Sequence, residues 1–479
     1  MRRDVVVVGG GLAGLSAALA LVDEGADVTL LERKARLGGA TWSFRRHGLS
    51  FDNGQHVFLR CCTAYRGFLQ RIGATDAVVL QDRLELPVVA PGGAVAWLRR
   101  NRLPAPLHLA GSLARYRHLS ITDRLRLGRA VLPLRRAALD DPALDETTFA
   151  AFLRAHGQRT AAIERVWDLI CTPTVNLPAD EASLTLAATV FKIGLLTDAA
   201  ASDIGWAKVP LANVHAEPAR EQLERAGADV RTNVAVNALE PTHGGVVVHT
   251  PTDHITADAV VVAVPHDAAA ELMPADVPGA ERWAALGTSP IVDVHLVYDR
   301  TVVDRELFAA VDSPLQFVFD RTSSCGLDGQ QQCLAVSLSA ATRWIAAPAD
   351  ELIAMATREI TRLFPDAAAG RVIDGVVIRE RAATFAGRPG TAKLRPTTRT
   401  PVAGLYLAGA WTDTGWPATM EGAVRSGIAA ATAISSDLTG CSLRSPATQA
   451  EAGRSLAGAR SLAPSDGLTA NSTTEEVPA

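Results

Sequence analysis

The stretch Phe51-Asp52-Asn53-Gly54-Gln55-His56-Val57-Phe58 sets an acid, an amide and an imidazole around one glycine. An imidazolium at His56 can give up a proton near neutral pH. Asp52 is an alternative acid if burial raises its pKa. Gln55 does not titrate and could only orient a reacting group. Gly54, between polar side chains, lets the backbone pass close to a flat ligand. Lys208 sits in Gly205-Trp206-Ala207-Lys208-Val209-Pro210, and only four of the 47 basic residues are Lys. Trp416, in Trp411-Thr412-Asp413-Thr414-Gly415-Trp416-Pro417, offers a ring that could cap a planar group. Together these residues suit proton transfer to a molecule held against a flat redox ligand.

The elements that must position them begin at once. Val5–Val8 is a β-branched run typical of a buried parallel strand. Gly9-Gly10-Gly11-Leu12-Ala13-Gly14 follows, then an Ala/Leu-rich helix over Leu15–Glu24, then a strand Asp27–Glu32 ending in an acid. Gly9 permits the tight turn, Gly11 admits a pyrophosphate to the backbone, and Gly14 lets helix and strand pack closely. The helix start around Leu12 and Ala13 supplies free N–H groups and positive dipole. Glu32 can accept from both ribose hydroxyls, and its charge disfavours a 2′-phosphate. The pattern predicts dinucleotide binding. Arg33, Arg36, Gly38, Gly39, Ala40 and Thr41 give a basic diglycine segment suited to a second approach to the pyrophosphate.

Farther on, Asp229–Val234 reads as a strand continued by Ala235–Leu239, with Val246–Val248 pairing as a hairpin. Ala259–Val264 is another buried run. Ala403–Ala410 is a last strand into a turn at Gly409, and a helix over Thr419–Ser435 starts Met420-Glu421-Gly422-Ala423. That helix start would aim its dipole at a ligand. Between these blocks, Leu103–Leu139 has helical spacing. Thr147 starts a helix to His156, and Ile163–Ile170 is helical to about Thr172-Pro173. Ala182–Leu196 carries one charge, Lys192; such a helix is buried, lines a greasy cavity or touches lipid. Strands at Ile291–Val297, Leu315–Phe319 and Leu334–Leu338 and a helix at Pro348–Phe364 suit a sheet-based lobe.

The expected architecture is α/β. A Rossmann-like dinucleotide-binding domain (1–85, 205–270, 396–437) is interleaved with an α+β substrate domain (86–204, 271–395). A disordered tail covers 438–479.

Composition sets the frame. Of 479 residues, 48% are hydrophobic and 20% charged, and the net charge is -4; this excludes a mostly disordered chain and a global basic field for nucleic acid. Arg99-Arg100-Asn101-Arg102 is a local basic cluster that reads as solvated surface. The cysteines at 61, 62, 171, 325, 333 and 441 form no C-x-x-C pair and no zinc-like set. They are expected to be reduced thiols in a cytoplasmic protein without a metal site. No apolar run reaches the ~18 residues of a membrane span, so any bilayer contact is expected to be peripheral, on the inner face.

These blocks resemble the FAD-dependent amine oxidase and phytoene desaturase superfamily, through Gly9–Gly14 with Glu32, Arg36–Gly39, Asp229–Val234 and Leu407–Gly427. Within it, Phe51–Phe58, Gly205–Pro210 and Trp411–Gly427 resemble the squalene-associated FAD-dependent desaturases, the hydroxysqualene dehydroxylases of bacterial hopanoid synthesis. The resemblance implies reductive removal of a hydroxyl from a C30 isoprenoid, with FAD as cofactor, and makes the first domain an FAD-binding domain of the glutathione-reductase type. No second G-x-G-x-x-G in strand–helix context marks an NADPH domain, so electrons are expected from free NADPH or a partner reductase. It places Val234, Gly54, Gln55, His56, Gly409, Asp413 and Met420–Ala423 against the cofactor. The apolar stretches 103–139 and 182–196 become the expected tunnel wall and membrane-facing entrance. Two residues depart from the superfamily pattern. Ala40 stands where Arg is usual, and Ala410 stands where Asp is usual, with Asp413 three residues on.

Overall fold

Five parallel strands form the sheet that carries the glycine turn. In a computed structural model describing residues 3–275 and 277–439, their order is Asp229–Thr232, Asp27–Glu32, Asp4–Val8, Ala259–Val262, Leu405–Leu407. Val5, Val6, Val7 and Val8 are all buried, as are Ala259–Val262, because helices and a second sheet cover both faces. The chain leaves the Asp4–Val8 strand for neighbours on either side. Its C-terminal end is therefore a switch point, where open α/β sheets bind ligands. Gly9 turns there at φ +108°, and a Cβ on it would lie 2.5 Å from the Ala263 carbonyl oxygen.

A seven-stranded mixed sheet runs in the order Val372–Phe385, Thr288–Tyr298, Gln332–Leu338, Phe317–Asp320, Leu307–Ala310, Glu85–Ala90, Ala94–Arg99. The Ala349–Leu363 helix covers one face, burying Leu352, Met355, Ile360 and Leu363. A small antiparallel sheet of Val57–Leu59, Ile204–Ala207 and Val78–Leu80 is central to function. It pairs Val57 with Trp206 and Phe58 with Gly205, joining two of the three distinctive sequence stretches. A Cβ on Gly205 would enter the Phe58 ring, so only glycine fits there.

Several expectations are corrected. Asn233 adopts φ +59° and ends the strand at Thr232, so Ala238–Thr242 is a separate strand, the one that Gly245–His249 pairs with as a hairpin. The 103–139 stretch is two helices, Ala110–Ala114 and Ile121–Arg136, the second capped by the Ser120 hydroxyl accepting from the Asp123 N–H. Thr148, not Thr147, caps the Phe149–Ala155 helix. The helix expected to stop near Pro173 runs on to Val175, after a wide π turn at Ile163–Trp167. Within 182–196, the Leu184–Phe191 helix is almost wholly buried, and Lys192 escapes to donate to the Ala137 carbonyl. No helix among the described residues is long and apolar enough to cross a membrane. The expected tail, 438–479, lies almost wholly outside the described residues.

Candidate functional site

The glycine turn and the diglycine segment meet. Gly38 N–H donates to the Gly10 carbonyl (2.8 Å), and Gly39 sits at φ +57° with its would-be Cβ only 2.7 Å from the Gly11 Cα. Two stretches of bare backbone thus face each other at the start of the Leu12–Asp23 helix. Gly11 caps that helix with no side-chain bond, leaving the first N–H groups for an outside acceptor. Glu32 is buried and accepts from Gly10 N–H (2.7 Å) and Lys34 N–H (2.8 Å), while Val234 N–H donates to the Glu32 carbonyl. Thr41 bonds the Gly38 carbonyl, and Arg36 lies over the Trp42 ring at 4.1 Å and bonds Gly39 O. Burial, above all, lowers the pKa of Arg36. Arg33 and Ala40 are exposed, so Arg33 is at most a rim charge.

The Met420–Thr439 helix crosses the Leu12–Asp23 helix near both N-termini. A Cβ on Gly427 would strike Ala13 O and Ser16 Oγ, and Ser16 Oγ donates to the Val424 carbonyl. Both helix starts therefore open on one region, which suits an extended dinucleotide.

Glu421, expected at the cofactor, is used elsewhere. It is 1% exposed, accepts from Ala64 and Tyr65 N–H at the start of the Thr63–Arg71 helix, and bonds Arg425. Its charge is spent on that helix dipole. Asp413 is exposed, and its N–H donates to the Pro396 carbonyl. The buried Arg395 organises the turn, donating to the carbonyls of Ala410, Trp411, Thr412 and Trp416. Burial lowers its pKa to about 10. Gly409 (φ +150°) lies against Trp411, and Trp416 is buried beneath Arg425 and packs with Met420 and Ala423.

The Phe51–Phe58 stretch holds the polar residues. Asp52 is no free acid. Its oxygens accept from Ser43 Oγ (2.7 Å), Leu211 N–H (2.9 Å) and Arg321 Nη2 (3.0 Å), and the Arg321–Asp52 pair is almost fully buried. Arg321 also reaches the carbonyls of Ala207 and Val209, so one guanidinium ties Asp52 to the Gly205–Pro210 stretch. Lys208 points to solvent, because its neighbours Ala207 and Val209 take the inner contacts; it is removed from the site. His56 is half-buried and hydrogen-bonds the Ala40 carbonyl. Burial lowers its pKa, against the pull of Asp52 and Glu380, so the neutral imidazole is favoured at pH 7. That weakens the expectation that His56 alone is the acid.

Two further carboxyl groups were not foreseen. Asp293, in the Thr288–Tyr298 strand, is 1% exposed, and its Oδ2 lies 3.0 Å from the point where a Gly54 Cβ would stand, with His56 Nε2 3.8 Å from the same point. Ser337 and the Gln55 N–H hydrogen-bond it, yet its Oδ1 has no partner, and neither has the buried Gln55 Nε2. Burial drives the Asp293 pKa up to about 8, so it holds a proton at neutral pH. Glu380 binds Trp42 Nε1 (3.1 Å) and Asn53 Nδ2 (2.9 Å). His295, two residues from Asp293, donates from Nε2 to the Asp52 carbonyl (3.0 Å) and is pushed down to about 4 by burial, so it is neutral. Asp293 makes a stability prediction. The unfolded chain ionises this carboxyl near pH 4, while the fold keeps it protonated to about pH 8. Its contribution is full below about pH 4 and is lost as pH rises through 8. Asp293→Asn should therefore gain thermal stability relative to wild type between pH 5 and pH 8, read by differential scanning fluorimetry.

The flavin-containing amine oxidoreductase family matches residues 12–435, from the helix after the glycine turn to the last helix. The chain belongs to that family. It is an oxidoreductase with FAD as cofactor, and the paired glycine backbones and two open helix starts fit such a dinucleotide. It is 30% identical to a hydroxysqualene dehydroxylase of Rhodopseudomonas palustris, over 90% of this chain and 98% of that one. It is 27% identical to a 15-cis-phytoene desaturase of Narcissus pseudonarcissus, over 91% and 80%. Among solved structures, the cyclohexylamine oxidase of Brevibacterium oxydans superimposes with a TM-score of 0.68 at 20% identity, covering 91% of this chain and 100% of that one. In this flavoenzyme the diglycine segment packs on the glycine turn, Asn53 of the Phe51–Phe58 stretch donates to the Ala40 carbonyl, and the last helix crosses the helix that the turn begins.

Proposed function

We propose that this flavoenzyme removes the hydroxyl of hydroxysqualene reductively and releases squalene. The observation that carries the reading is the likeness to a hydroxysqualene dehydroxylase over nearly the full length of both chains. The convergence of Phe51–Phe58 and Gly205–Pro210 on one strand pair supports it. Reduced FAD, when bound, supplies the hydride equivalent. The chain's own residues must promote departure of the allylic oxygen and exclude water. His56 stands at the polar end, where its imidazole can donate a hydrogen bond to the leaving oxygen. Protonated Asp293, behind Gly54, is a store from which that region regains a proton; it acts through its neighbours and not on the substrate. Gln55 orients. The domains divide the work, with segments 1–85, 205–270 and 396–437 holding cofactor and segments 86–204 and 271–395 holding the C30 chain. Electrons come from NADPH or a reductase.

His56→Gln is expected to keep its FAD and lose ~10²-fold in squalene formation, at the lower end of general-acid effects. A second reading, desaturation of a polyene, is favoured by the likeness to phytoene desaturase. The two run electrons in opposite directions. Purified, FAD-loaded enzyme should yield squalene from hydroxysqualene when reduced, and no conjugated product from phytoene with a quinone acceptor. The reverse pattern establishes the desaturase.

A further inference from the structure

We propose that residues 99–136 form a docking surface for an anionic lipid bilayer. The inference does not depend on which reaction the enzyme catalyses.

The first observation is exposure. Leu103 is 49% exposed, Leu107 55%, Ile121 70%, Leu125 78% and Leu132 46%; among the described residues only two other large hydrophobics, Val57 and Ile373, are exposed. Scattered single apolar side chains need no explanation, but five within thirty residues of chain are a local concentration.

The second observation is how the Ile121–Arg136 helix is built. At roughly 100° per residue, Ile121, Leu125 and Leu132 fall within about 40° of one another. Asp123, Leu127, Ala130 and Leu134 are buried on the opposite face. The helix therefore has two apolar faces, one packed inward and one open to solvent. Arg124 and Arg135 flank the open stripe on one side, and Arg129 and Arg136 flank it on the other. An apolar stripe between arginines is the geometry of a helix lying in a membrane interface, with the guanidinium groups reaching up to the headgroups.

The third observation is charge. Residues 99–136 contain ten Arg against one acid, Asp123, in a chain of net charge -4. Arg102, Arg115, Arg117, Arg126, Arg129, Arg135 and Arg136 have no carboxylate within ion-pair distance among the described residues. Such a concentration attracts an anionic surface. A second copy of the same patch would be repelled. A nucleic acid would satisfy the arginines but leave the exposed leucines facing water. A bilayer with anionic headgroups satisfies both.

The patch also has a place in the fold. Its helix packs on the buried Leu184–Phe191 helix and on the Lys192–Leu196 turn, where Lys192 donates to the Ala137 carbonyl just past the helix end. The apolar segment expected from sequence to touch lipid is thus the inner layer, and the arginine-rich helix is the outer one.

The test is flotation of the FAD-loaded full chain with phosphatidylcholine vesicles and with vesicles enriched in phosphatidylglycerol, at low and high salt. Binding should be roughly tenfold stronger to the anionic vesicles and should weaken with salt. Ile121→Glu/Leu125→Glu/Leu132→Glu should abolish it with FAD content unchanged and little loss of melting temperature, since all three side chains are exposed. Arg129→Gln/Arg136→Gln should reduce only the preference for anionic lipid. Failure of the wild-type chain to float with either vesicle overturns the proposal. So does binding that survives the triple Glu change, or a wild-type dimer that the same change disperses without any vesicle binding.

Discussion

Gly39→Val should purify colourless. The residue sits at φ +57°, where a β-branched side chain is strongly disfavoured, and its Cβ would lie 2.7 Å from the Gly11 Cα. Neither backbone can yield freely. Gly38 is bonded to Gly10, and Gly11 starts a helix whose next turn is pinned by Gly14, where a Cβ would fall 1.9 Å from the Gly9 carbonyl oxygen. The added isopropyl group forces the two segments apart at the surface meant for the pyrophosphate. FAD affinity is expected to fall on the order of a hundredfold or more, since close backbone approach is the basis of the site. The ratio of flavin to protein absorbance after gel filtration measures this. Circular dichroism should remain near that of the wild type, because the strand and helix on either side keep their own packing.

Arg321→Met should be the most destabilising single change near the site. Arg321 and Asp52 are 5% and 4% exposed and 3.0 Å apart. Removing the cation leaves a buried carboxylate with only Ser43 and Leu211 as donors. Breaking a buried pair from one side typically costs about 3–5 kcal/mol. It also releases the carbonyls of Ala207 and Val209, which Arg321 holds. Adding Asp52→Asn to Arg321→Met should recover a good part of the loss, because the uncompensated charge is then gone. Urea unfolding of the two single variants and the double variant reads the coupling. If Arg321→Met alone is as stable as wild type, the pair is not the clamp described here.

How much of this was legible in the sequence depended on distance along the chain. Gly9–Gly14 and Glu32 lie within one β-α-β unit, and every constraint on them is local: a turn, a helix start, a strand end. The pairing of Val57 with Trp206 could not be read from either stretch, because only the fold brings residues 150 apart together. In the sequence Asp52 reads as an alternative acid, because nothing marks its partner Arg321, a single arginine after an ordinary strand. Lys208 drew notice by its rarity, yet rarity says nothing about which way a side chain points. Asp293 was missed, though a signal was present. In Ile291-Val292-Asp293-Val294-His295-Leu296, an Asp and a His two residues apart share one face of an otherwise apolar strand. Two titratable groups on one face of a buried strand should have drawn attention. Likewise, the arginine cluster near residue 100 reads as solvated surface until the Ile121–Arg136 helix is seen to carry apolar residues on both faces.

The central claim is that bound, reduced FAD and a hydroxylated C30 isoprenoid react in this site with loss of the hydroxyl. It is tested most directly by a single anaerobic turnover. The enzyme is reduced with dithionite, excess reductant is removed, and hydroxysqualene is added while flavin absorbance and squalene are followed together. Flavin is expected to reoxidise with one squalene formed per flavin, and His56→Gln to slow both signals equally. Flavin that stays reduced in the presence of hydroxysqualene, or that reoxidises without squalene, would contradict the central claim.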